Sequence, residues 1–256
     1  MLPFNLAELP IFTLLLLAMF AVIVFRYFLV AGFFYLYFYR WHKEAWQAYK
    51  INQKNYPKGQ FTQEIKWSVI TSLIFALAGA ITAVLWQQGY TQIYLEVNKF
   101  GWLYFGGSIL LAMLLHETYY YWAHRWMHQP RIYRVVHKVH HDSLIASPWT
   151  AFSFHPLEGA IEAVILPVIV LLIPMHPYAI VVHLTIMTLS SVINHLDIEI
   201  YPPSFTQNWF GRWLIGATHH ALHHTQFRYN YGLYFTFWDK WMRTESPEYK
   251  NKTPNS

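Results

Sequence analysis

Eight of the 15 histidines fall into three short runs with helical spacing. His124 and His128 lie four residues apart. His137, His140 and His141 form a three-and-four set, and His220, His223 and His224 repeat it. Residues three and four apart share one helix face, so each run can aim several imidazoles at one spot. Neutral imidazole binds Fe, Zn, Cu or Ni without the proton loss that a thiol requires. Eight such rings fill most positions around two metal ions. His195 emerges from an apolar run just before Leu196-Asp197 and adds a ninth candidate ligand; the plain alternative is an interfacial histidine held by Asp197. His42, His176 and His183 stand alone and read as hydrogen-bonded residues at helix ends.

Other metal chemistries fit these spacings less well. A zinc protease needs H-E-x-x-H, and His116-Glu117 has Tyr120 where the second ligand belongs. Bis-histidine haem needs single histidines on facing helices, and ferritin-like di-iron sites are rich in Glu. Zero Cys removes Fe–S clusters and Cys-based zinc sites. No Gly-rich dinucleotide fingerprint is present, since Phe105-Gly-Gly-Ser108 is too short.

The elements that must position these rings are apolar helices. Of 256 residues, 55% are hydrophobic, 20% aromatic and only 12% charged, which excludes both disorder and an ordinary soluble domain. The net charge of +5 is spread between apolar runs rather than gathered on a stripe, so nucleic acid is not the expected partner. Five apolar segments are predicted: 11–39, a span ending near Val30 with Arg26 snorkelling and 33–41 at headgroup level; 67–88; 103–122; 157–175; and 178–196. The last two are short and carry Pro167 and Pro174, so full crossing and a re-entrant hairpin both remain open. The three basic stretches (six, four and six Lys and Arg) face the cytoplasm by the positive-inside rule, which puts the histidine runs on that side. Ionisable groups beside a bilayer are costly, and gathering eight there favours metal binding over unrelated ring hydrogen bonds. The chain's start lacks a basic leader region, so no secretory signal is expected. The fold expected is an all-α integral membrane bundle with a cytoplasmic His-rich helical cap, one domain over 1–256.

The runs H-x-x-x-H, H-x-x-H-H and H-x-x-H-H between apolar spans resemble those of the fatty acid hydroxylase/sterol desaturase superfamily of membrane di-iron oxygenases. The likeness covers roughly 115–248. The stretches His116-Glu-Thr-Tyr-Tyr-Tyr-Trp-Ala-His-Arg-Trp-Met-His128, His137-Lys-Val-His-His-Asp-Ser143, Ser147-Pro-Trp-Thr-Ala151 and Phe154-His-Pro-Leu-Glu158 look like the sterol C-5 desaturase (lathosterol oxidase) branch. So do Asn194-His195, His219-His220-Ala-Leu-His-His224, Asn230-Tyr-Gly232 and Trp238-Asp239. Glu117 departs from the family's usual Asp.

The resemblance implies membrane segments over 1–101 and a catalytic region over 102–248. It implies two Fe with O2 as co-substrate, desaturation or hydroxylation of a lipid C–H bond, and a sterol-like substrate ahead of a fatty acid or carotenoid. It assigns the chemistry to His124, His128, His137, His140, His141, His220, His223 and His224, with His195 as a further metal ligand. Glu117, Asp142 and Asp239, with Glu158, are expected to accept a ligand's free N–H from outside the metal sphere, and His155 and His219 to support the site or face the substrate. Asp142 as a helix cap and Glu158 as a first-turn residue are equally good readings. Electrons must come from a separate carrier of cytochrome b5 or ferredoxin type, docking on the basic face around Arg125, Arg131, Arg134 and Lys138. A bacterial inner membrane is expected ahead of the endoplasmic reticulum, because the end Asn251–Ser256 carries no dilysine-type signal. A metal-binding scaffold or metal transporter is the non-enzymatic alternative; a transporter would place its ligands at mid-bilayer in broken helices.

Overall fold

The computed structural model describes residues 3–202, 204–205 and 208–249, and the chain's end at Asn251–Ser256 lies outside them. Among the described residues the regular structure is helical, with isolated bridges and no strand. Helix α1 spans Leu9–Tyr35, opens on Pro10 in its first turn, and runs on as a π-helical stretch over Leu36–Trp41. The short α2, Lys43–Trp46, follows. Helix α3 spans Gln60–Gln87, beginning seven residues before the predicted span. Its small residues Ala76, Gly79 and Ala80 let α1 come close, and a Cβ on Gly79 would meet Met19 Sδ at 2.9 Å.

Helix α4, Gly101–Met127, carries the first histidine run at its end. Then come α5 (Pro130–Val136) and α6 (Lys138–His141). The fourth apolar segment forms two helices, α7 (Pro156–Ala163) and α8 (Ile165–Leu172), before α9 (Pro177–Asn194). Helices α10 (Ala217–Gln226) and α11 (Phe237–Trp241) complete the chain. Among the described residues, three helices are long and apolar enough to cross a membrane: Leu9–Trp41, Gln60–Gln87 and Pro177–Asn194. Helix α4 is as long as α1, but His116, Glu117, His124 and Arg125 dilute its apolar character. Helices α7 and α8, with eight residues each, rise only about 12 Å apiece.

Exposed Leu14, Leu17, Val22, Phe25 and Leu29 give α1 a lipid-facing side. Its other side packs Tyr27 and Ala31 on Ala151, Phe152 and Val192. Farther along, Phe38 meets Leu196, Ile198 and Ala217. The helix continues past Val30 to Tyr35 and into the π-helical stretch, and Arg26 lines a cavity beside it.

Candidate metal centre

Nine imidazoles converge on two adjacent points. His124, His128, His137, His141 and His223 form one group, and His140, His195, His220 and His224 the other. In each, the nearest ring nitrogens lie within 4.8 Å of one another. All nine residues predicted as ligands are brought together here.

The spacing does not divide them as expected, one run to one point. Residues four apart stay together: His137 with His141, and His220 with His224. Their partners His140 and His223 go to the opposite group. Successive helical residues are turned by about 100°, so an adjacent His-His pair cannot face one point and instead reaches both. The groups abut, with ring centroids 4.7 Å apart for His141 and His224 and 5.3 Å for His137 and His140.

Within the five-ring group Nε2 faces Nε2 at 3.0 Å (His124 and His137), 3.1 Å (His128 and His223; His141 and His223) and 3.2 Å (His128 and His141). In the four-ring group the approaches are 2.9 Å (His195 and His220) and 3.2 Å (His140 and His195; His220 and His224). Two nitrogens bound to one ion at about 2.1 Å stand about 3.0 Å apart at a right angle and about 3.4 Å at the tetrahedral angle. The observed spacings suit rings that would share one ion in each group.

The far side of several rings fixes the tautomer. His124 Nδ1 donates to the Tyr231 carbonyl (2.9 Å), His223 Nδ1 to the Tyr229 carbonyl (2.7 Å) and His195 Nδ1 to the Ser191 carbonyl (2.7 Å). His137 Nδ1 donates to Glu158 Oε1 at 2.7 Å. A neutral ring with its proton on Nδ1 keeps a lone pair on Nε2. Burial, reinforced by neighbouring imidazoles, holds His137, His140, His141, His220, His223 and His224 well below the usual imidazole pKa, so these rings are neutral. His124 and His137 thus aim two lone pairs at each other across 3.0 Å, an arrangement that repels unless a cation sits between them. The donor set fits a pair of transition-metal ions.

The supporting residues differ from the expected set. Glu158 holds the His137 ring directly. Asp239 acts one step back: it accepts from Tyr231 N (2.9 Å), Gly232 N (3.0 Å) and Thr244 Oγ1 (2.8 Å), holding the loop whose carbonyls orient His124 and His223. Glu117 holds the other end of that loop, accepting from Tyr234 N at 2.6 Å and from Leu233 N at 3.2 Å. Gly232 is required there, since a Cβ would come within 2.6 Å of Phe235 O and 2.8 Å of Glu117 Oε1. Asp142 instead points outward and pairs with Lys138. His155 caps α7, accepting from Leu157 N. His219 is buried against Tyr249, its ring nitrogens without partners among the described residues. None of these three touches a metal-facing ring nitrogen.

Glu64 gave no sequence signal. Buried on α3, it accepts from Ser143 (2.7 Å), Ser147 (2.6 Å), Thr150 (2.8 Å) and Gln60 (2.7 Å), which clamps the turn after the second histidine run. Glu199 likewise holds the start of α10 through Thr218 N (2.9 Å). His176 is the helix-end residue expected, accepting from Tyr178 N and donating to Leu95 O. His183 is not: it is buried, with Nε2 3.2 Å from His116 Nδ1, which also meets Tyr234 OH at 3.1 Å.

A cavity of about 570 Å³ leads to the centre. Apolar side chains of α1, α3, α8 and α9 form most of its wall, and His195 of the four-ring group lines it. Arg26, His116, His183 and Glu162 are its chargeable residues besides His195.

The family model described as Fatty acid hydroxylase matches residues 109–244. A Delta(7)-sterol 5(6)-desaturase of Gibberella zeae is 32% identical over 184 residues, 72% of this chain and 55% of that protein. One from Eremothecium gossypii is 30% identical over 216 residues, 84% and 57%. A lathosterol oxidase of Rattus norvegicus is 28% identical over 215 residues, 82% and 70%. The chain spans about half the length of the two fungal relatives. No solved structure matches. The match takes in more than half of the chain and all nine converging histidines, so the chain belongs to the fatty acid hydroxylase family.

Proposed function

We propose that the protein is a membrane-bound non-haem di-iron oxidoreductase that uses O2 to desaturate or hydroxylate a lipid C–H bond, with a sterol-like substrate preferred. The observation that carries this reading is the cavity: an apolar chamber with a ligand ring, His195, in its wall. Iron bound by the nine histidines supplies O2 activation and hydrogen abstraction from an unactivated carbon. In desaturation, the lipid loses two hydrogens and O2 becomes two waters, with two electrons and two protons arriving from outside.

The chain's own residues set the conditions. His124, His137, His195 and His223 are held as Nδ1–H tautomers, ready to ligate through Nε2 without reorientation. The apolar wall excludes water and admits a bilayer-dissolved substrate. The sterol preference is supported by the desaturase and lathosterol oxidase relatives. The family's description as a fatty acid hydroxylase supports the second reading, a hydroxylase of a fatty acid or other lipid. Electrons come from a separate cytochrome b5-type or ferredoxin-type carrier. Exposed Arg131, Arg134 and Lys138 offer it a basic face, on the cytoplasmic side of a bacterial inner membrane. Transport is less well supported, because the rings sit at helix ends in a closed cluster rather than along a path.

The test is expression in yeast lacking its own sterol C-5 desaturase, alongside iron analysis of the purified protein. The expected result is two irons per chain and restored Δ5,7-sterols, lost in His140→Ala. Iron-loaded protein that yields only hydroxylated lipids would move the assignment to the second reading. Iron-free protein active in metal flux would end both.

A further inference from the structure

Half-buried Arg26 lines the cavity with no carboxylate paired to it among the described residues. It lies inside α1, a helix otherwise free of charge, and lines the same chamber as His195. Its Nε is buried without a hydrogen-bond partner, and it takes part in none of the ion pairs among the described residues. Glu162 lines the cavity too but is not paired with it. An unpaired charge within a membrane helix is costly, and such residues face an interior where they meet a ligand, ion or partner. Orientation of the helix alone would be served equally well by an arginine facing lipid and reaching for an interface.

Its level in the fold is informative. The neighbouring Tyr27 stacks on Phe152 with centroids 5.5 Å apart, donates to the Trp149 carbonyl at 2.8 Å and packs with Val192. Val192 precedes His195 by three residues, about 4.5 Å along α9. Arg26 therefore enters near the metal end of the chamber, not near its Trp86 and Pro177 end. Guanidinium only donates hydrogen bonds, so its complement is an acceptor oxygen. The remaining wall, including Met19, Val22, Phe75, Leu166 and Ile180, suits hydrocarbon.

We propose that Arg26 anchors the polar end of the lipid substrate by donating to its oxygen, and so fixes which carbon faces the centre. The oxygen-bearing end then lies beside the metal end of the cavity, and the oxidised carbon lies close to the oxygen. This rests on the lipid-oxidising reading for what fills the chamber. Arg26 precedes the family match at 109–244.

The test measures equilibrium binding by the full chain in nanodiscs, independently of turnover. The probes are a Δ7 3β-hydroxysterol, its 3-deoxy analogue and a long-chain fatty acid. The wild-type protein should bind one oxygenated probe at least tenfold more tightly than the deoxy sterol; which one tells hydroxyl from carboxylate. Arg26→Leu should remove that preference and leave deoxy-sterol binding unchanged, and Arg26→Lys should keep part of it. Iron content and elution volume report folding, with Arg26→Gln as a second variant should the leucine protein aggregate. Unchanged discrimination in a folded Arg26→Leu or Arg26→Gln protein overturns the proposal, as does a wild-type protein that shows no preference. A wild-type protein that discriminates but oxidises no lipid leaves the anchor standing and sinks the proposed activity instead.

Discussion

A ligand ring is useful only when the correct nitrogen is bare, and at His137 that depends on one carboxylate. Glu158→Gln keeps the shape and weakens the acceptor at 2.7 Å, so iron affinity should fall about 10–100-fold. Metal retention during dialysis against a graded chelator measures this, and His155→Ala, which loses only a helix cap, should retain iron as the wild type does. Equal retention in Glu158→Gln would show that the carboxylate does not set the ring. Removing the metal leaves lone pairs opposed at about 3 Å, so chelated protein should melt lower by roughly 5 °C or more. Acid deepens the loss. Buried rings held below the usual pKa bind fewer protons than unfolded ones, so the stability they contribute is present above about pH 6.5 and lost as pH falls. A metal-free melting temperature that rose from pH 7.5 to 5.5 would contradict this. Eight of the nine rings were legible in the sequence because three- and four-residue spacing is visible in one dimension, and His195 because it follows an apolar run. The roles of Glu158 and Asp142 were not, since a helix-start acid and a metal-supporting acid look alike until the neighbouring ring is placed.

At the level of elements, the centre is held by short pieces of chain clamped from outside. The loop over 229–234 presents two carbonyls to ligand rings and is itself gripped by Asp239 and Glu117. Gly232→Ala forces a Cβ into Phe235 O and Glu117, and should cost about 1–3 kcal/mol. Its melting temperature should fall and its iron content with it; normal values for both would mean that the loop yields freely. On the other side, Glu64→Ala leaves the hydroxyls of Ser143, Ser147 and Thr150 without their shared acceptor. Proteolysis after the second histidine run should quicken at least severalfold, and an unchanged cleavage rate would remove Glu64 from this role. The helix boundaries show why Glu64 was missed. Apolar periodicity marks 67–88, but α3 begins at Gln60, and its first turns are polar because they face a polar turn rather than lipid.

For the whole molecule, hydropathy found the apolar segments but not their use. The fourth segment breaks into two eight-residue helices, and Arg26 turns inward to a cavity whose existence depends on packing between α1, α3, α8 and α9. Pro167 marks the break, whereas the cavity is encoded in no single window of sequence. Charge asymmetry still predicts sidedness. A Cys introduced at Asn98 should react with an impermeant reagent in intact cells, whereas one at exposed Gln129 should react only after lysis. The reverse pattern would put the histidines on the side away from a cytosolic electron carrier.

Because α6 and α10 each send rings to both points, the two metal positions share their walls. His140 and His141, whose Nδ1 atoms have no partner among the described residues, are neighbours on α6, so ordering His140 around one ion also orders His141 for the other. Loading should therefore be cooperative: iron titration of the stripped protein should be sigmoidal, and the singly loaded species should remain scarce even at half saturation. Two independent hyperbolic binding steps would mean that the shared helices are rigid before either ion arrives.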